Sequence, residues 1–256
     1  MTSLQERSVL VTGASSGIGA ACVRAFAAAG ASVAFCARRR EPLESMAAGL
    51  SRQGAKVHAF PLDVREFPAV ESALAALPAP FSAIDVLVNN AGLARGLETV
   101  QEGNLSDWEE MIDTNVKGLL YISRAVLPGM VARGRGHVIN VGSIAGHEVY
   151  PRGAVYCATK HAVDALTKGM RLDLCGTGVK VSTVDPGLVD TGFSTVRFHG
   201  DEEKARRAYR GMAPLQGADI AEVVVWMASR RAGVNVAQTL VLPADQASAA
   251  VVHREG

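Results

Sequence analysis

Short apolar, β-branched runs alternate along this chain with longer stretches whose apolar positions recur at helical spacing. The runs at 8–12 (SVLVT), 32–37 (SVAFCA), 56–61 (KVHAFP), 85–88 (DVLV), 137–141 (HVINV), 179–184 (VKVSTV) and 238–242 (QTLVL) predict seven strands. Helices are expected at 17–30, from the second strand to about residue 53, at 107–131 with Pro128 as a candidate break, and at 154–175. Strands that are apolar throughout, each followed by a helix, predict a parallel sheet covered on both faces. The expected architecture is therefore α/β, a Rossmann-like, doubly wound, seven-stranded parallel sheet with helices on both sides. No Pro/Ser-rich linker, repeat or low-complexity tract interrupts it, so residues 1–256 are expected to form a single domain. Residues 78–80 (PAP) read as a loop, and the tail from about Ser248 as loose or held by a partner.

Composition narrows the function without naming it. The 256 residues are 48% hydrophobic and 20% charged, with a net charge of +1. That balance argues against capture of nucleic acid or an anionic membrane. The start, MTSLQERSVL, has no apolar core of a secretory signal, and no apolar stretch approaches the ~20 residues of a membrane helix. Cys22, Cys36, Cys157 and Cys175 form no C-x-x-C pair and sit inside regular segments, which fits buried free thiols in the cytoplasm. The six histidines show no ligand spacing, so no metal is expected.

Two features point to a dinucleotide. The first strand runs directly into TGASSGIG at 12–19, which opens a helix. Glycines there permit a tight turn, close approach of a pyrophosphate and close helix–strand packing, while the helix N-terminus offers unpaired N–H groups. Gly13, Ser15, Ser16, Gly17, Ile18 and Gly19 are the candidate phosphate cradle; three glycines in a turn can also be plain punctuation. The second strand ends in Cys36-Ala37-Arg38-Arg39-Arg40, with no carboxylate to hold a ribose 2′-hydroxyl. Guanidinium groups suit a 2′-phosphate, so Arg38, helped by Arg39, selects NADP(H) over NAD(H), unless the cluster is merely solvated. Asp63, after the third strand and beside Val64, is a candidate partner for the adenine amino group.

Tyr156 and Lys160 stand at i and i+4, on one face of the helix expected at 154–175. An ammonium beside a phenol, together with a positively charged nicotinamide, favours phenolate and brings the tyrosine toward use as a base. These residues belong to an ordered series: TGASSGIG at 12–19, LDV at 62–64, NNAG at 89–92, Asn115 in DTNVKG, Ser143 in NVGSIAG, Tyr156 to Lys160 (YCATK), and Asp185-Pro186-Gly187. The series resembles the short-chain dehydrogenase/reductase family over nearly the whole chain. The resemblance implies an oxidoreductase acting on CH–OH groups, with Tyr156 as acid–base and Ser143 bonding the substrate oxygen. It also implies that Lys160 holds the nicotinamide ribose, and that Asn115 steadies a water through which protons reach Lys160. Asn90, Ala91 and Gly92 would line the adenosine pocket or brace the sheet. Pro186, Gly187, Val189 and Thr191 would lie along the nicotinamide, and the assembly would be a homotetramer.

The stretches FSTVRFHGDEEKA from 193, DIAEVVVW at 219–226 and VNVAQTLVLPADQ at 234–246 are similar to a narrower group within that family, the NADP-dependent 3-hydroxy acid dehydrogenases. Members act on serine, allo-threonine and related 3-hydroxy acids, or reduce small semialdehydes. A small carboxylated substrate needs a cation, for which Arg197 and Arg152 are the candidates; Arg197 could instead tie down its loop, and Arg152 could face solvent. His147, Glu148, Pro151 and Arg152 depart from the Gly-rich loop that the group implies. Two alternatives remain: the same chemistry on a larger ketone of 3-oxoacyl, steroid or polyketide type, or a non-enzymatic cofactor-binding scaffold. The second would be expected to lose Ser143, Tyr156 or Lys160.

Overall fold

The computed structural model describes residues 3–255. Within them β1 (Ser8–Thr12), β2 (Ser32–Ala37), β3 (Val57–Pro61), β4 (Val86–Asn89), β5 (Gly136–Val141), β6 (Val179–Pro186) and β9 (Gln238–Val241) form one sheet, in the order β3-β2-β1-β4-β5-β6-β9. Every pairing in it is parallel. Alternating side chains feed two cores. Val9, Val11, Val33, Phe35 and Ile139 pack with α1 (Gly17–Ala28), α2 (Arg40–Arg52) and α9 (Gly217–Ala228) on one face. Leu10, Ala34, Leu87 and Val138 pack with α3 (Phe67–Ala75) and α5 (Leu119–Ala132) on the other. Burial on both sides is why β1 and β2 carry no polar alternation and read as continuous apolar runs.

The chain reverses its direction of travel across the sheet between β1 and β4. At such a switch point the loops leaving neighbouring strands diverge and open a crevice. The glycine turn after β1 and the NNAG loop after β4 therefore meet there.

Four expectations need correction. The helix expected at 107–131 is α4 (Leu105–Ile112), a π-helical segment at Asp113–Gly118, and then α5. Pro128 lies inside α5 and does not break it. It sits on the exposed side with Arg124, whose carbonyl, four residues back, can turn to water instead of to the missing N–H. The tail is not loose: Gln246 pairs with Val252, and the Glu255 N–H donates to the Gly211 carbonyl at 2.7 Å. Three cysteines are buried, but Cys175 is exposed. The segment after β6 is also more structured than expected. It holds β7 (Val189–Asp190), paired in parallel with β8 (Leu215–Gln216), and the short helices α7 (Phe193–Arg197) and α8 (Glu202–Arg207).

Among the described residues no helix is long and apolar enough to cross a membrane, and no cluster of metal-ligating side chains occurs.

Candidate active site

The β1–α1 turn requires glycine at specific points. Gly13 and Gly17 have left-handed φ values of +66° and +56°. A Cβ on Gly13 would stand 2.7 Å from the Ala91 Cα, and one on Gly17 would stand 3.1 Å from the Thr191 Cβ. The NNAG loop braces this turn. The Asn90 amide donates to the carbonyls of Thr12 (2.9 Å) and Gly13 (3.0 Å), and the Thr12 hydroxyl accepts from the N–H groups of Asn90 and Ala91. Asn89 is tied to Ser123 and Asn140 in the interior. Ser16 is the N-cap of α1, yet its side chain caps nothing, so the first N–H groups of the helix face the crevice without a side-chain partner.

At the outer end of the crevice, Arg39 donates to the hydroxyls of Ser15 (3.0 Å) and Ser16 (3.2 Å). Arg38 is half exposed and pairs with Glu110 of α4 at 3.1 Å. Asp63 is clamped by Arg65, whose Nε lies 2.9 and 3.0 Å from its two oxygens. Partial burial works to raise the Asp63 pKa, but Arg65, seconded by Arg38, holds it below the usual carboxylate range. The carboxylate is thus committed to Arg65, which leaves it less available to adenine. Val64 is buried against Gly118 of the π-helical segment and does not reach the cavity.

A cavity of about 340 Å³ occupies the inner end of the crevice. It gathers Gly13, Ser16, Gly17, Ile18, Asn90, Gly92, Ser143, Tyr156, Lys160, Pro186, Gly187, Val189, Thr191 and Arg197 from opposite ends of the sequence. Tyr156 and Lys160 project from the same face of α6 (Ala154–Asp173), with the ammonium 5.9 Å from the phenol ring centroid. Lys160 is buried and donates to the Val141 carbonyl at 2.9 Å. Burial pushes its pKa down to about 8, against the pull of Asp185. Burial also raises the Tyr156 pKa, opposed by the Arg197 charge and then by the Ser143 hydroxyl. The phenol is accordingly protonated at neutral pH, and the cation acting on it most strongly is Arg197, where the sequence pointed to Lys160. Asn115 lies beneath, in the π-helical segment. Its side chain exchanges two 2.8 Å bonds with the Leu93 backbone and donates to the Thr159 hydroxyl, so both of its N–H donors are spent in joining α6 to the residue that follows the NNAG loop.

Arg197, in the last turn of α7, lies over the site. Its guanidinium is 5.0 Å from the Tyr156 ring centroid, 5.3 Å from Phe193 and 5.8 Å from Tyr150. It donates to the Tyr150 hydroxyl at 2.8 Å, while its Nε is buried without a partner. A cation walled by three rings with a donor unused is prepared for an anion. Arg152 has no such place. It is exposed in a turn with a φ of +63° and does not line the cavity. Nor do His147, Glu148 and Pro151; His147 bonds Asp185 at 2.8 Å, and Glu148 accepts from the Ala249 N–H.

No local pattern singles out Tyr150, Tyr209 or Gln246, which also line the cavity, although Gln246 closes the 234–246 stretch that carries the narrower resemblance. Tyr209 secures α7, the lid over Tyr156, by bonding Ser194 (2.8 Å) and the Val189 carbonyl (2.9 Å), and Gln246 accepts from the Leu188 N–H.

Residues 7–202 match the family model described as short chain dehydrogenase. The chain is 48% identical over 248 residues, 96% of its length and 99% of the relative's, to the NADP-dependent 3-hydroxy acid dehydrogenase of Salmonella typhi. It is 45% identical to sulfoacetaldehyde reductase 2 of Chromohalobacter salexigens, over 96% and 98% of the two chains. Among solved structures, the closed form of a serine dehydrogenase complexed with NADP+ superposes with a TM-score of 0.92 at 46% identity, covering 96% of this chain and 99% of that one. With its glycine turn, Ser143, Tyr156 and Lys160 brought around one cavity, the chain belongs to the short-chain dehydrogenase family.

Proposed function

We propose that this chain is an NADP(H)-dependent oxidoreductase that interconverts a small 3-hydroxy acid and the corresponding carbonyl acid or semialdehyde. The residues present fit the cofactor. Glycine at 13 lets the turn close against Ala91 at the mouth of the crevice, α1 opens with uncapped N–H groups, and Arg38 and Arg39 follow a strand end without a carboxylate. Ser15, Ser16, Gly17, Ile18 and Gly19 would hold the pyrophosphate. Arg38 and Arg39 would hold the 2′-phosphate, and Asn90, Gly92, Lys160, Pro186, Gly187, Val189 and Thr191 the nucleoside and nicotinamide. When bound, NADP(H) supplies or takes up the hydride.

The chain's own groups handle the proton and the charge. In reduction the neutral Tyr156 phenol donates its proton to the carbonyl oxygen, and the Ser143 hydroxyl steadies the same oxygen. In oxidation Tyr156 must first ionise, which the positive charges of Arg197 and Lys160 favour, and the phenolate then takes the alcohol proton. Asn115 acts through position, setting the Thr159 and Leu93 contacts on which the Lys160 turn of α6 rests. Arg197 takes the substrate carboxylate, and its buried, unpartnered Nε is the observation that carries this reading. A bulky ketone would need space that Arg197, Tyr150 and Phe193 fill above Tyr156. The test is substrate profiling with NADPH and NADH: succinic semialdehyde should be reduced with NADPH far faster than a bulky ketone. The reverse order would overturn the substrate assignment.

We further infer a homotetramer in the cytoplasm, built from single-domain subunits. Ile112, Leu120 and Leu172 leave apolar side chains exposed around α4, α5 and α6, and Trp226 and Leu240 do so around α9 and β9, which suits two separate subunit interfaces. The free cysteines fit a reducing compartment. Sedimentation equilibrium that returned a monomer would remove the assembly.

A further inference from the structure

Glu110, in the last turn of α4, divides its carboxylate between two regions that no backbone hydrogen bond links directly. Oε1 accepts from Arg38 Nη1 at 3.1 Å, at the outer, phosphate end of the crevice. Oε2 accepts from Arg95 Nε at 2.7 Å. The far edge of the Arg95 guanidinium donates to the Val196 carbonyl at 2.7 Å, and the neighbouring Gly96 N–H donates to the Arg197 carbonyl at 2.9 Å. The last turn of α7, which carries the guanidinium over Tyr156, is therefore held by residues 95 and 96, and Arg95 is held by Glu110. Arg65 completes the cluster, 3.9 Å from Glu110 and bound to Asp63.

The charges in this cluster do not balance. Among the described residues Arg38, Arg65 and Arg95 form ion pairs with Glu110 and Asp63 alone, and Asp113, whose charge also reaches Arg65, is paired with Lys117, so one positive charge is left over at the place where the 2′-phosphate reading needs it. Burial works to raise the Glu110 pKa, but Arg95 and Arg38 outweigh it and keep the group ionised. Arg38 spends one donor on Glu110 and is half exposed, so an arriving phosphate dianion can compete for it.

We propose that Glu110 is a positioning residue that couples recognition of the cofactor's 2′-phosphate to docking of α7 over the substrate. Phosphate draws Arg38 toward itself. Glu110, relieved of one arginine, then binds Arg95 with its full charge and fixes the Val196 carbonyl, and with it Arg197. By linkage, docking of α7 favours phosphate in return. This inference rests on the reading of Arg38 as the 2′-phosphate ligand, and the test separates the two.

The probes are 2′,5′-ADP and 5′-AMP, titrated by calorimetry into the full chain, with hydrogen exchange followed over residues 193–200 and KM measured for 3-hydroxypropanoate with NADP+. In the unaltered chain, 2′,5′-ADP should slow exchange over 193–200 more than 5′-AMP does. Glu110→Gln removes a competitor for Arg38 and the anchor of Arg95 together. It should bind 2′,5′-ADP about threefold tighter, lose the ligand effect on exchange, and raise KM about fivefold, as expected for partly exposed ion pairs. Opposite signs in one variant are not what general damage to α4 would give. Weakening of both, no change in either, or exchange that stays ligand-sensitive overturns the coupling. Arg38→Ala is the control: it should abolish the preference for 2′,5′-ADP over 5′-AMP. If that preference survives, the phosphate assignment itself falls and the coupling with it; if it is lost while Glu110→Gln changes nothing, only the coupling falls.

Discussion

At the β1–α1 turn, the parts that face the crevice are mostly backbone: two glycines in left-handed conformation, uncapped N–H groups, and a loop whose amides bond carbonyls. At the other end, over Tyr156, almost everything is side chain: the Arg197 guanidinium, the Tyr150 hydroxyl, the Phe193 ring and the hydroxyl pair Ser194–Tyr209. A backbone site suits a ligand portion that never varies, because it tolerates few substitutions and demands the same turn each time. A side-chain site can be changed one residue at a time without disturbing the sheet behind it. The two ends should therefore fail differently when altered.

The largest effect is expected where the ends meet. Tyr156→Phe keeps the ring against Phe193 but removes the proton donor, so turnover should fall roughly 10²–10⁴-fold. NADPH affinity, read by fluorescence titration, should stay within about twofold of the original; loss of affinity in step with turnover would mean the tyrosine serves binding instead. Gly13→Ala comes next and breaks the backbone end. With φ at +66° and Ala91 in the way, it should cost ~1–3 kcal/mol, seen as a lower Tm together with weaker NADPH binding. A side-chain change at the lid should separate those two readouts. Arg197→Ala should raise KM for a carboxylated substrate about tenfold or more with Tm unchanged, and should matter much less for an uncharged aldehyde. Equal losses on both substrates would make Arg197 a tie for its loop.

The last effect concerns stability alone and is spread over a pH range. Lys160 titrates at about 8 when folded against 10.5 in the open chain. Between those values the unfolded chain holds a proton that the folded one has released, so stability from this group rises with pH across that window. Chemical denaturation should show the unaltered chain gaining about 2–3 kcal/mol relative to Lys160→Met between pH 8 and pH 10.5. A constant difference would mean the ammonium is better solvated than its burial implies.

The same contrast explains what could be read from the amino-acid sequence. All seven sheet strands, the glycine turn, the arginines after β2 and the Tyr156–Lys160 pair were visible, because continuous apolar runs, obligatory glycines and one-turn spacing are local signals. Arg197 was visible only as one of two candidates, since the sequence does not say which arginine is walled in by rings and which, like Arg152, ends in a solvent-facing turn. Glu110, Tyr150 and Gln246 left no local trace: each acts on a residue far away in the chain, Arg38, Arg197 and Leu188 respectively. The π-helical segment was hidden for another reason. Its apolar positions continue the pattern of α4 and α5, so periodicity reads one long helix.

That segment also limits how the gene can change. Six residues, Asp113–Gly118, take a wider turn than their neighbours, in effect carrying one residue more than an α-helix of the same rise would need. Excising one of them would let the backbone relax into regular helix with α4 and α5 still in register, because the wider turn is what absorbs the extra residue. Ile122, Val126 and Met130 would keep their places in the core, but Asn115 would lose the wider turn that brings its amide to Leu93. A codon deletion here, in what looks like ordinary helix, should spare the fold and damage the site.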